Sequence, residues 1–289
     1  PHRYEEPGSV VRITYSDSQP CHFVCMAFRP RLCYNALNVP EGEVSAVAVE
    51  NGTWIMHGLA WDDPCRIRTW QELIQWVDEV GFLPLFQNEI SGFSAEEHTS
   101  ASFWWSGDPE QDPWEWRQLM ARSGRVAYGK FFGKKAGFIS KAWFPRFANW
   151  RRDGYDFDSR WEDARASLRQ KRIMDQFAAR QELYSFELKG LAGFGKGGEK
   201  NFEGTVTDLQ MGGYLLIRDF RQRLNKKGQP YGWPISVYAT PEALWGYDHI
   251  ASAYSEDPAR SRELVYEQVC LHFPAATEDS LQAVLGWER

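Results

Sequence analysis

The sequence predicts a mixed α+β fold, mainly helical with small β-hairpins. Three observations carry that prediction. Helix-capping signals recur along the chain, as at Thr69-Trp-Gln-Glu72 and Asp112-Pro-Trp-Glu115. Short apolar or alternating runs flank turn residues at Gly133-Lys-Lys135 and Asn225-Lys-Lys-Gly228. Between residues 158 and 238 the pattern runs helix, helix, helix, strand, turn, strand, the order of a winged helix-turn-helix. The expected architecture is therefore such a module packed on an N-terminal α/β part.

The elements follow in order. Residues 1–55 show no sustained periodicity beyond a strand-like Val44–Val49 and a turn at Asn51-Gly52. With Pro rather than Met at position 1, they read as an extension outside the fold. The first helix starts at the Thr69 capping box, continues through Leu73, Trp76, Val77 and Val80, and stops at Gly81, which tolerates a left-handed backbone. Pro84 keeps Phe82–Phe86 extended. Asp112 caps a second helix with Pro113 in its first turn, ending near Gly124. Val126–Phe132 and Gly137–Ile139 form a hairpin with a basic tip. A long helix over about 160–180 would turn Trp161, Ala164, Leu168 and Phe177 inward. A short helix from Ser185 to Ala192, a Gly-rich turn, and a helix from Asn201 to Gly212 complete the helical part of the module. Tyr214–Leu224 and Tyr231–Tyr238 supply its hairpin. The C-terminal stretch reads as helices, at the Thr240-Pro-Glu cap, Arg262–Leu271 and Glu278–Leu285. The segments are thus 1–55 extension, 56–158 Trp-rich α/β part, 159–240 winged module, and 241–289 C-terminal helices.

Composition excludes several classes. No run of 18 apolar residues is present, so the sequence offers no membrane span. No secretion signal is recognised, and a cytoplasmic location is the expectation. The 5 cysteines are odd in number and lack a CxxC pattern, which suggests reduced thiols. Cys21, His22 and Cys25 lack a second ligand pair, and neither metal nor cofactor is expected. The net charge of −6 hides an asymmetry: Arg117–Arg180 holds 16 Lys/Arg against 6 Asp/Glu, and Lys189–Gly228 holds 8 against 4. A basic middle suggests an anionic partner; charges scattered over solvated helix faces are the plainer alternative.

Other motifs favour structure over chemistry. Gly193-Phe-Gly-Lys-Gly-Gly198 follows a helix rather than a strand and has Glu199 where a phosphate loop needs Lys, so a turn explains it. Lys196 and Lys200 could still neutralise a phosphate. Asp153, Asp156 and Asp158 lack the closing Glu of a calcium loop and suit turns and caps. Trp104, Trp105, Trp114 and Trp116 suit a core, with one or two rings in a cleft. His98, beside Glu96 and Glu97, completes no recognisable catalytic set. In the third helix of the module, Phe202, Val206 and Leu209 share one face, while Glu203, Thr207 and Gln210 share another that can face outward. Arg221, Arg223, Lys226 and Lys227 lie where a wing carries charge.

Several phrases carry a resemblance: Gly81-Phe-Leu-Pro-Leu-Phe86, Asp112-Pro-Trp-Glu-Trp-Arg117, Tyr128-Gly-Lys-Phe-Phe132, Lys135-Ala-Gly-Phe-Ile-Ser140, Arg151-Arg-Asp-Gly-Tyr-Asp-Phe-Asp158, Gly198-Glu-Lys-Asn-Phe-Glu-Gly204 and Leu209-Gln-Met211. From about Met56 onward the chain resembles the bacterial AlkZ-related family, a short branch similar to the AlkZ/YcaQ DNA glycosylases. The resemblance implies winged-helix modules that cradle DNA and a role in base repair. In those glycosylases a Gln-x-Gln or Gln-x-Asp after the first long helix handles water or the base. The matching place here is Leu83-Pro84-Leu85-Phe86, where Pro84 and Phe86 replace both polar residues.

The expected function is duplex DNA binding, including damaged DNA, with a glycosylase-like role whose catalytic motif is lost. The basic surface would run from Lys134 and Lys135 across Arg151 and Arg152 to Arg221, Arg223, Lys226 and Lys227, with Lys196, Lys200, Thr207 and Gln210 contributing. If catalysis persists, it is hydrolysis of an N-glycosidic bond on an extruded base, with Glu89 or Asn88 positioning water and Phe86 or Trp104 stacking on the base. Two alternatives are a protein-interaction module and an enzyme on a small or carbohydrate substrate at a Trp-lined cleft.

Overall fold

In a computed structural model of the protein, residues 10–15, 49–50 and 53–286 are described. The expected turn at Asn51-Gly52, the strand at 44–49 apart from Val49, and Cys21, His22 and Cys25 lie outside them. A strand does occur where none was expected: β1 (Val10–Tyr15) runs parallel to β3 (Thr53–Gly58), with β2 (Val49–Glu50) antiparallel on the other edge. Cys65 is disulfide-bonded, where the sequence suggested a reduced thiol.

Helix α1 (Trp70–Val80) follows its sequence signals closely. Thr69 accepts a hydrogen bond from the Glu72 amide at 3.2 Å, and the Glu72 carboxylate accepts from the Arg68 amide at 2.7 Å. Leu73, Ile74, Val77 and Val80 are fully buried, each worth about 1.5–3 kcal/mol of transfer free energy. Gly81, at φ 86°, turns the chain into β4 (Phe82–Pro84), which pairs with β6 (Lys135–Ser140). The intervening helices are α2 (Ala95–His98) and α3 (Pro113–Ser123), the latter capped by Asp112 and ended by left-handed Gly124 as its sequence requires. β5 (Val126–Phe132) closes an antiparallel sheet of order β4-β6-β5. Gly137 sits where no side chain fits: a Cβ would lie 2.5 Å from the Phe132 ring and 2.7 Å from the Leu83 carbonyl oxygen.

The Trp143–Arg152 stretch is helical, as α4 (Phe144–Arg152). The single helix expected over 160–180 is instead broken into α5 (Phe157–Glu162) and α6 (Leu168–Met174). Its break has local causes. Asp156 caps α5, Ala164 takes φ 55°, and Ser167 and Gln170 form a capping box that restarts the helix. Ala164 and Leu168, expected inward, are exposed, while Trp161 and Phe177 are half-buried.

A second antiparallel sheet, of order β7-β9-β8, combines β7 (Glu182–Tyr184), β8 (Leu216–Leu224) and β9 (Pro230–Ala239). Between β7 and β8 run α7 (Ser185–Leu191), the glycine turn and α8 (Phe202–Met211). Asn201 holds the N-cap position of α8 at φ 65°, without the side-chain bond a capping Asn normally makes. The C-terminal part is helical as expected: α9 (Pro241–Trp245), α10 (Tyr247–Ile250), α11 (Pro258–His272) and α12 (Glu278–Leu285). One contiguous cluster of buried side chains, from Met56 to Leu285, joins α1, both antiparallel sheets, α4, α8 and α11. The fold is mixed α+β.

Candidate nucleic-acid interface

The β8–β9 hairpin leaves the body of its sheet. β7 reaches β9 only at Val237–Ala239, so the hairpin beyond Ile235 is a two-stranded ribbon. Pro230 and Pro234, which cannot donate to a ladder, are tolerated there because β9 has a single neighbour. Asn225 builds the tip: its side-chain oxygen accepts from the amides of Lys227 at 2.8 Å and Gln229 at 3.0 Å, with Gly228 at φ 74°. Lys226, Lys227 and Arg223 are exposed. So are three apolar groups: Leu224 at 63%, Tyr231 at 49% and Trp233 at 69%. The Arg223 guanidinium lies over the Phe186 ring, 4.4 Å from its centroid, and Arg223 pairs in register with Tyr231. No acidic residue occurs between Phe220 and Thr240.

Arg221 is placed differently. It is anchored to Asp219 at 2.6 Å and to both oxygens of Glu182, at 2.5 and 3.1 Å. Asp219 is buried and also pairs with Arg122 at 3.0 Å. Arg221 therefore braces the base of the hairpin.

Two expectations for α8 are corrected. Thr207 and Gln210 face inward, at 8% and 1% exposure. For Gln210 the cause is a register shift in β5 after Gly129, next to Lys130: the Gln210 side-chain oxygen accepts from the Lys130 amide at 3.0 Å, and its amide donates to the Val206 carbonyl. The exposed residues of α8 are Glu203 and Asp208. Between α6 and α8 lies an open groove of about 380 Å³ whose lining includes Arg169, Glu199, Asn201 and Asp208. Arg169 and Arg172 both pair with Glu199, which ties the glycine turn to α6. Lys196 and Lys200 remain exposed on that turn.

Arg151 and Arg152 do not form a basic surface: both are 1% exposed. Arg152 donates to Glu242 at 2.6 Å, the Tyr254 hydroxyl at 2.7 Å and the Gly213 carbonyl at 2.6 Å. Arg151 donates to the Leu285 carbonyl at 2.5 Å and stacks over Trp150. The two guanidinium groups bolt α4 to the turn after α8 and to the C-terminal helices. Their burial is affordable because carbonyls, a carboxylate and aromatic faces surround them.

The expected catalytic neighbourhood gathers in one place. A small cleft of about 50 Å³ is lined by Pro84, Phe86, Asn88, Glu89, Lys135 and Val284, among others. Glu89 is exposed, as are Lys134 and Lys135 on the tip of the β5–β6 hairpin. Asn88 is 2% exposed, and its side chain is spent on the loop itself, donating to the Phe93 carbonyl at 2.6 Å and accepting from the Ile90 amide at 3.0 Å. Those bonds hold the loop. Trp104 is 6% exposed, with its indole N–H on the Thr99 hydroxyl at 3.0 Å. Phe86 packs against Trp104 at 5.3 Å and Trp114 at 6.4 Å between centroids. Both expected base-stacking rings thus stack on protein. Trp104 and Trp116 are buried in the core, and Trp105 and Trp114 pack half-buried against it.

Sequence reasoning missed one group beside this loop. Glu96 is 3% exposed and accepts from the His57 amide at 2.6 Å and the Gln87 amide at 3.0 Å, while burial pushes its carboxyl up to about 7. Burial also raises Glu97, and it lowers His98, whose ring meets the Gly92 carbonyl. The signal was the Ser94-x-x-Glu97 cap, which places a helix start here. Asp153 and Asp156 serve turns and caps, and among the described residues no group of three or more His, Cys, Asp or Glu side chains could hold a metal.

A family model described as AlkZ related matches residues 67–286. The chain belongs to the AlkZ-related family. No curated protein and no solved structure matches it. In this AlkZ-related chain Pro84 is buried in β4, and Phe86 is half-buried between two indoles. Neither side chain can orient water. Among the described residues no helix is long and apolar enough to cross a membrane.

Proposed function

We propose that this AlkZ-related protein binds DNA through the β8–β9 hairpin, as the wing of a winged helix-turn-helix, and is a glycosylase-like protein that has lost the catalytic polar pair. The observation that carries this reading is the hairpin itself: a projecting, basic and aromatic ribbon with no acidic residue from Phe220 to Thr240. The order α6, β7, α7, α8, β8, β9 with sheet order β7-β9-β8 supports the winged reading. Exposed Lys134, Lys135, Lys196 and Lys200 are further phosphate contacts. Family membership supports a DNA partner and a role in repair.

The test is binding of a short labelled duplex over a salt titration. Affinity falls steeply with salt if phosphates dominate. Reversing charge at Arg223, Lys226 and Lys227 together weakens binding by at least tenfold. Retention of DNA unaltered by that change removes the hairpin as the contact.

A second reading keeps catalysis, because Glu89 is exposed and lines a cleft with Lys135, Pro84 and Phe86. Base release from alkylated DNA by the wild type but not by Glu89→Ala supports it. Equal release by both proteins removes Glu89 from that role.

A further inference from the structure

We infer that the hairpin takes an unpaired stretch of DNA, not an intact duplex, as its preferred ligand. This deepens the DNA-binding reading and rests on it. The argument has three parts.

Groove reading is poorly served by α8. A recognition helix enters a major groove with polar or basic side chains aimed at base edges. Here Thr207 and Gln210 are turned into the body, and the exposed positions carry Glu203 and Asp208, which repel phosphates. The groove beside them is lined by Glu199 and Asp208, and its Arg169 is already paired to Glu199.

The hairpin offers what a single strand needs. Binding of unpaired DNA combines cations that track the backbone with aromatic faces on which bases stack. Arg223, Lys226 and Lys227 supply the cations, and Tyr231 and Trp233 supply rings that are 49% and 69% exposed. In a duplex each base face is already covered by its neighbours, so those rings would meet only edges and sugars. An unpaired strand presents the faces themselves.

The geometry is also prepared. Arg223 is laid over Phe186 and is the cross-strand partner of Tyr231, so one cation and one ring share a face of the ribbon. Arg221, locked between Asp219 and Glu182, stiffens the base from which the ribbon projects. Charge selects the partner class: a ribbon with three exposed cations, Arg223, Lys226 and Lys227, and no acid from Phe220 to Thr240 complements a polyanion with aromatic bases.

The experiment measures anisotropy of three labelled probes with the full chain: a thymidine oligonucleotide, the same strand length without bases, and a duplex. The wild type binds the thymidine strand more tightly than either of the others. Trp233→Ala, and separately Tyr231→Ala, weakens thymidine binding by roughly five- to a hundredfold and leaves the abasic strand nearly unchanged, because the abasic strand has phosphates but nothing to stack. Both residues are exposed, so folding is expected to survive, and circular dichroism verifies it. A duplex bound as tightly as the thymidine strand, or an abasic strand bound equally well, overturns the inference. If the Arg223, Lys226 and Lys227 reversal still abolishes binding in that case, the hairpin remains the DNA contact. If that reversal changes no probe, the DNA-binding reading itself falls.

Discussion

Glu96 makes stability depend on pH in a direction opposite to that of most carboxylates. Its burial at 3% exposure holds the carboxyl at about 7 against an ordinary 4.5, despite two backbone amides that favour the charged form. The folded protein therefore keeps a proton that the unfolded chain would release. The stabilising contribution is complete below pH 4.5, declines as pH rises through about 7, and is absent above it. The span corresponds to about 3 kcal/mol. Other groups oppose this trend: His98 and His57 are lowered by burial, and each adds stability as pH rises toward 6.5. The wild-type profile alone mixes these effects, so the decisive quantity is the difference between wild type and Glu96→Gln. Glutamine has no charge to bury and nearly the same shape. Urea unfolding of both proteins between pH 4.5 and 8 should show the wild type losing about 3 kcal/mol relative to the variant across that range. A difference that is flat with pH, or that rises, refutes the assignment of the proton to Glu96. The group ties the end of β3 to the loop carrying Phe86, Asn88 and Glu89, so hydrogen exchange at the Gln87 amide should rise in the variant as well.

Three further outcomes follow from contacts of known geometry. Arg152→Met leaves Glu242, Tyr254 and the Gly213 carbonyl without their partner and should cost about 3–5 kcal/mol in urea unfolding; a loss under 1 kcal/mol would show that the pair is not holding α4 to the C-terminal helices. Gly137→Ala drives a methyl against the Phe132 ring and the Leu83 carbonyl, and a loss of about 1–3 kcal/mol in urea unfolding is expected, with no change refuting the close approach. Lys226→Gln should reduce the slope of log affinity against log salt by about 1, and an unchanged slope would place Lys226 away from phosphate.

The elements legible in the sequence are those fixed by neighbours along the chain. Thr69, Asp112, Gly81 and Gly124 act on amides or carbonyls within four residues, and the structure places each as the sequence demanded. The break between α5 and α6 was also local, in Ser167 and Gln170, but the outward-facing basic residues gave an unbroken helical stripe that obscured it. The facing of α8 was not legible. Gln210 turns inward to answer an amide left over by an irregularity in β5, 80 residues away, and no periodicity in α8 encodes that need. Arg151 and Arg152 misled for a related reason. A sequence shows that a residue is charged, and only the fold shows whether carbonyls and a carboxylate from residues 213, 242 and 285 surround it.

This changes what the charge pattern means. The excess of 16 basic over 6 acidic residues between Arg117 and Arg180 suggested a broad binding face. Much of it is consumed within the fold: Arg151 and Arg152 in the core, Arg117 against Trp114 and Phe220, and Arg165, Arg169, Lys171 and Arg172 in ion pairs. A cation already held by a carboxylate contributes little to a polyanion, because binding must first break that pair. The smaller excess between Lys189 and Gly228 is less compensated, since its exposed lysines sit on the glycine turn and the hairpin tip. On the proposed DNA-binding reading, the charge left exposed and uncompensated, together with the two exposed rings beside it, favours the hairpin over the more basic 117–180 stretch.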